Sequence, residues 1–164
     1  MSPEIRPATS ADSHAIAAIY AQYVLNNAAT LELEPPDASE IERRMADVLA
    51  RGLPYLVAEV DGLVAGYAYA GAFRPRPGYR YTVEDSVYLQ PEFAGRGLGR
   101  SLLGELIVAA KASGCHQMVA MIGGENPASV AMHRSQGFAE VGVLREVGRK
   151  FGEWVDVTLM QREL

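Results

Sequence analysis

Hydrophobic positions along this 164-residue chain change their period several times, and each change marks an element. Glu4 to Ala8 reads as a short strand. Thr9 and Asp12 then form a capping box, and Ile16, Ile19, Tyr20, Tyr23 and Val24 recur at helical spacing. A loop runs from about Asn26 to Pro36. Asp37 with Glu40 caps a second helix, with Ile41, Met45, Val48 and Leu49 on its apolar face and Gly52 at its end. The apolar runs Tyr55–Val60 and Leu63–Phe73 flank Asp61-Gly62, a strong hairpin signal. Arg80 to Gln90 predicts a long strand with two faces: Tyr81, Val83, Val87 and Leu89 on one, Thr82, Glu84, Ser86 and Tyr88 on the other. Asp85 interrupts the apolar face. Beyond Pro91 a glycine-rich turn opens a helix carrying Leu102, Leu103, Leu106, Ile107 and Ala110, which Gly114 stops. Gln117 to Ile122 reads as a strand, and Asn126-Pro127 starts a helix that ends at Gly137. Strands over Phe138–Glu146 and Lys150–Arg162 complete the order β-α-α-β-β-β-α-β-α-β-β, an α+β chain read as one domain spanning 1–164.

Composition narrows the setting. A single cysteine, Cys115, allows no internal disulfide and points to a reducing compartment. No signal-like or membrane-spanning apolar run is present, so a soluble cytoplasmic protein with no membrane partner is expected. The net charge of −5 argues against nucleic acid as a partner, although a local basic cluster remains able to hold a small anion.

Such a cluster exists. Gly95-Arg96-Gly97-Leu98-Gly99-Arg100-Ser101 joins a strand to a helix, where main-chain N–H groups and the helix dipole favour an anion. Glycines allow close approach, and the two arginines add charge. A P-loop is excluded, because Ala94 stands at its first glycine and Arg100 at its lysine. A dinucleotide fingerprint counted from Gly97 fails at Leu102. The plainer alternative is a turn that only reverses the chain.

The run Val87-Tyr88-Leu89, Pro91 and Gly97-Leu98-Gly99, with Asn126 and Ser129 on the next helix, resembles the GNAT superfamily of acetyl-coenzyme A-dependent N-acetyltransferases. That resemblance implies an α/β sandwich: a central, mostly antiparallel mixed sheet of about seven strands flanked by about four helices. It also implies that the N–H groups from Gly95 to Arg100 hold the pyrophosphate. The main chain of Val87, Tyr88 and Leu89 would pair with the pantetheine arm, and Asn126 and Ser129 would line the cofactor further along. Ala94 departs from the Gln or Arg usual in the family, and Arg96 is available in its place. Over Leu56–Gly62, Gly66–Tyr69, Thr82–Tyr88, Met132-His133 and Gly152–Val157 the chain is similar to the phosphinothricin and methionine sulfoximine N-acetyltransferases. This implies acetyl transfer to the α-amino group of a small acidic amino-acid-like substrate, acetyl-coenzyme A as co-substrate, no metal, and a homodimer.

The chemistry needs a base, because an α-amino group with a pKa of about 8 is mostly protonated at neutral pH. Glu84, on the polar face of the strand expected to hold the pantetheine, suits that role; the alternative is a solvated or ion-paired glutamate. The resemblance makes His133, on one helix face with Ser129, a second proton carrier, whereas a lone helix histidine also suits packing. A main-chain N–H near Leu89 would meet the developing oxyanion. Arg74-Pro75-Arg76-Pro77-Gly78-Tyr79 presents two guanidinium forks on a stiff loop, fitted to carboxylate or phosphinate oxygens, or simply a solvated basic loop. By resemblance, Leu31, Arg74, Pro75, Arg76, Tyr79, Asp85, Ser86, Gly123 and Val157 form the substrate side, with Leu31 where an aromatic residue is expected. Tyr20, Tyr23 and Trp154 read as core or interface, and His14 and His116 lack metal-ligand companions. The rival readings are a GNAT enzyme for protein N-termini or polyamines, and a non-catalytic coenzyme A-binding regulatory module.

Overall fold

The computed structural model describes residues 2–164. Its elements are β1 (Glu4–Pro7), α1 (Ser13–Asn26), α2 (Ala38–Ala50), β2 (Tyr55–Val60), β3 (Leu63–Ala72), β4 (Thr82–Leu89), α3 (Leu98–Ala112), β5 (Gln117–Gly123), α4 (Pro127–Ser135), β6 (Ala139–Lys150) and β7 (Glu153–Glu163). The strands form one mixed sheet in the order β1-β2-β3-β4-β5-β7-β6.

Local chemistry sets several boundaries. The Asp37 carboxylate accepts the Glu40 N–H at 2.8 Å and starts α2. The Thr9/Asp12 box also forms, but it closes one tight turn over Ser10–Asp12, and α1 begins only at Ser13. The β2–β3 turn uses Asp61 and Gly62 at φ 53° and 79°, the left-handed pair that matches strand twist.

The β6–β7 turn lies at Phe151-Gly152, where both φ values are again positive, and not at residues 147–149 as the alternation suggests. The cause is a bulge between Leu144 and Gly148, with Glu146 at φ 52°. Asp156 secures it by accepting from the Glu146 N–H and the Arg145 guanidinium. The bulge interrupts the period of two, and the strand resumes beyond it.

Alternation on the sheet builds two cores. Leu56, Ala58, Ala68, Val83, Met118 and Met160 pack with α3, whereas Tyr55, Val57 and Tyr67 pack with α1 and α2. Neighbouring strands are antiparallel except β4 and β5, whose parallel ladder lasts only for Thr82–Glu84 against Gln117–Val119. Beyond it β4 stays with β3 as far as Leu89, and β5 stays with β7 as far as Gly123. The sheet therefore opens into a wedge at its centre.

Candidate active site

The wedge leads into a cavity of about 850 Å³. Its mouth is the turn before α3, where Gly95 and Gly97 take φ of 75° and 82°. Gly97 is the N-cap residue of α3, and no side chain among the described residues caps that helix. The starts of α2 and α4 differ: the Asp37 side chain accepts from the Glu40 N–H, and the Asn126 side-chain Oδ1 accepts the Ser129 N–H at 3.1 Å. The first N–H groups of α3 are thus left for a ligand anion, with Arg100 on the cavity wall. Gly99 is a packing glycine, since a Cβ there would press on the Met132 sulfur. Leu98 is buried. Arg96 points its guanidinium over the Phe93 ring at 5.8 Å and is not part of the lining.

Main-chain groups of alternate residues in β4 face alternate sides. The Gln90 N–H turns toward β3 and bonds to Ala65. Leu89 therefore faces the open side, together with Val87 and Asp85. The sequence points to a main-chain N–H near Leu89 as the oxyanion donor; that of Leu89 itself is already taken, donating to the Tyr23 hydroxyl at 3.1 Å, which in turn donates to the Leu89 carbonyl at 2.8 Å. Val87 and Asp85 are the remaining open-side positions in this stretch. Tyr88 lines the cavity with Tyr23 against its ring, 4.9 Å between centroids.

Glu84 stands where the β4–β5 ladder ends. It is half-buried in the cavity wall, and no side chain among the described residues pairs with it. Burial pushes its pKa up and neighbouring Asp85 adds to this, while Arg74 opposes it. Ser86 follows on the same face, beside the Tyr69 phenol.

Asp85 points to the opposite face. Its Oδ2 lies 2.8 Å from His133 Nε2, with side chains 2% and 5% exposed respectively, and its Oδ1 is buried without a partner. His133 Nδ1 lies 2.8 Å from the Ser129 carbonyl oxygen and 3.3 Å from its hydroxyl. Both ring nitrogens are therefore occupied.

The opposite wall is the segment joining α1 to α2. Gly123 lets it approach, because a Cβ there would overlap the Ala28 carbonyl oxygen. Buried Lys150 donates to Thr30 O at 2.8 Å, and Leu31 packs on Gly148. The Tyr20 hydroxyl bonds to Thr30 and Glu32, and Arg44 pairs with Glu32. Leu31, Gly123 and Val157 accordingly reach the lining. Arg74, Pro75, Arg76 and Tyr79 do not; they stay exposed on the β3–β4 connection, with Arg74 stacked over Phe73 at 5.2 Å. Tyr20 is buried in the core and Tyr23 packs against it, as read from the sequence, but both also line the cavity, as does Glu32. The available signal was tyrosine on an apolar helical stripe, since a buried phenol seeks a hydrogen-bond partner. No group of three or more His, Cys, Asp or Glu among the described residues is placed to hold a metal, and no described helix is long and apolar enough to cross a membrane.

Three comparisons bear on this arrangement. Residues 5–159 match the family model described as an acetyltransferase (GNAT) domain. The chain is 48% identical over 161 residues to a phosphinothricin N-acetyltransferase of Alcaligenes faecalis, covering 98% of this chain and 82% of that one. It is 45% identical over 163 residues to the L-methionine sulfoximine/L-methionine sulfone acetyltransferase of Salmonella typhimurium, covering 98% and 94%. A solved phosphinothricin acetyltransferase of Sinorhizobium meliloti, in complex with acetyl-coenzyme A, superposes with a TM-score of 0.97 at 46% identity, covering all of this chain and 89% of that one.

Proposed function

This chain belongs to the GNAT acetyltransferase family and is an acetyl-coenzyme A-dependent N-acetyltransferase, and on that premise we propose that its acceptor is the α-amino group of a small acidic amino acid or glutamate analogue, of the phosphinothricin or methionine sulfoximine type. One observation carries the mechanism: Glu84 is half-buried, and unpaired among the described residues, at the point where the strands part. There it accepts a proton from the acceptor ammonium, and its raised pKa brings it closer to the amine it must deprotonate. The uncapped start of α3 receives the pyrophosphate, and the open-side main chain of β4 pairs with the pantetheine arm. Arg74 and Arg76 lie outside the cavity lining, but Arg74 acts electrostatically on Glu84, so a substrate bound beside that carboxyl group would draw these arginines onto its acidic oxygens.

The phosphinothricin named for one relative supports the acidic acceptor, and the methionine sulfoximine named for another supports a glutamate analogue. Val147, Phe151 and Trp154 are exposed on the β6–β7 hairpin and support a homodimer, and the single buried cysteine suits a cytoplasmic location. A thiol-release assay across glutamate analogues, polyamines and N-terminal peptides tests the substrate class. Acidic amino acids should react fastest, and Arg74→Ala with Arg76→Ala should raise their KM roughly tenfold or more. Preference for a polyamine would sink the acceptor assignment.

A further inference from the structure

The family activity requires protons to leave the acceptor nitrogen and one to reach sulfur. His133, on the cavity wall, is the obvious carrier for the second, yet its surroundings point elsewhere. A carbonyl oxygen only accepts, so the 2.8 Å contact with Ser129 O requires a proton on His133 Nδ1. The 2.8 Å contact between Nε2 and Asp85 Oδ2 requires another proton between those atoms, since two bare lone pairs would repel. Ring and carboxylate together thus carry no net charge. Removing the shared proton would leave an uncompensated anion in a site where both side chains are almost wholly enclosed.

The rest of the surroundings offers no relief. Phe138 meets the ring edge-on at 4.9 Å. Among the described residues Asp85 on β4 is the one charged group acting on the ring, and Ser129 on α4 supplies the other polar contact. Burial works against the charged imidazole, but Asp85 and the Ser129 carbonyl outweigh it and hold its pKa above the usual value.

We propose that Asp85 and His133 form a proton-locked tether between β4 and α4, a pair of positioning residues that sets the width of the coenzyme A slot and donates no proton to the departing thiolate. The inference rests on the acetyl-transfer reading of the cavity. The amine nitrogen bonds to the thioester carbon, and the carbon–sulfur bond breaks with its electron pair going to sulfur. Of the two protons that nitrogen loses, Glu84 takes the one that frees the lone pair, and the leaving sulfur takes the other directly from nitrogen.

The unmodified protein supplies the first test. With 15N-labelled histidine, both ring nitrogens of His133 should stay protonated from pH 6 to 9, with and without coenzyme A, against exposed His14 and His116 as references. Loss of a ring proton in that range overturns the lock, and this readout stands even if no acceptor is acetylated. The second test is Asp85→Asn, whose carboxamide still bonds to the ring. A tether predicts a several-fold rise in KM for acetyl-coenzyme A with the shape of the kcat–pH profile unchanged. A general acid predicts an alkaline limb that moves down by a pH unit or more once the carboxylate is gone, and that result refutes the proposal.

Discussion

Glu84 and Asp85 are adjacent in β4, carry the same functional group and meet opposite fates. Glu84 faces the α1–α2 side, half-buried beside Tyr69 and Ser86 without a partner. Asp85 faces the α3–α4 side and is closed off by His133. The alternation of a strand separates them, and the helix behind each face decides what they do. A carboxylate that is buried and paired holds structure together. One that is partly desolvated and left unpaired gains proton affinity, as a base requires.

The contrast can be broken from either side. The largest effect is expected for Glu84→Gln, which keeps shape and removes the base: turnover should fall by roughly two to four powers of ten, with acetyl-coenzyme A affinity unchanged by calorimetry. Turnover near the parent level would remove Glu84 from the mechanism.

Asp85→Ala should instead act on the fold. Stripping one partner from a buried pair costs about 3–5 kcal/mol, measurable by denaturant unfolding. The sign follows from the ring. Its raised folded pKa means the contribution is fully present below the unfolded value of about 6.5 and is lost as pH rises through the folded value. The gap between parent and variant should narrow as pH climbs above about 6.5.

A smaller effect is expected at the cradle. Gly97→Ala places a Cβ at φ 82°, in space that no protein atom fills. The strain of about 1–2 kcal/mol should be tolerated, while KM for acetyl-coenzyme A rises about tenfold. An unchanged KM would move the pyrophosphate away from this turn.

The smallest effect is expected at Glu84 again, on stability. Folding raises its pKa, so the carboxylate form weighs against the folded state as pH climbs above the unfolded value of about 4.3. Glu84→Gln should therefore raise Tm at pH 7–8. The gain should disappear below about pH 4, and calorimetric melts across that range would show it.

The sequence by itself determined what local physics encodes. The two faces of β4, the caps at Asp37 and Asn126, the Asp61-Gly62 hairpin and the glycines before α3 are legible because period, side-chain capping and left-handed backbone each depend on a few neighbouring residues. Only the tertiary structure decided the rest. The parting of β4 from β5 depends on strands separated by a whole helix, and nothing local says after which pair they diverge. The enclosure of Asp85 by His133 joins residues 48 positions apart. Tyr23 reaches Leu89, and Lys150 pins the α1–α2 connection, across still longer separations. Partners that distant are chosen by how the two cores pack on the sheet, so a residue's chemistry can be read from its neighbours in sequence, but its role depends on what packing sets against it.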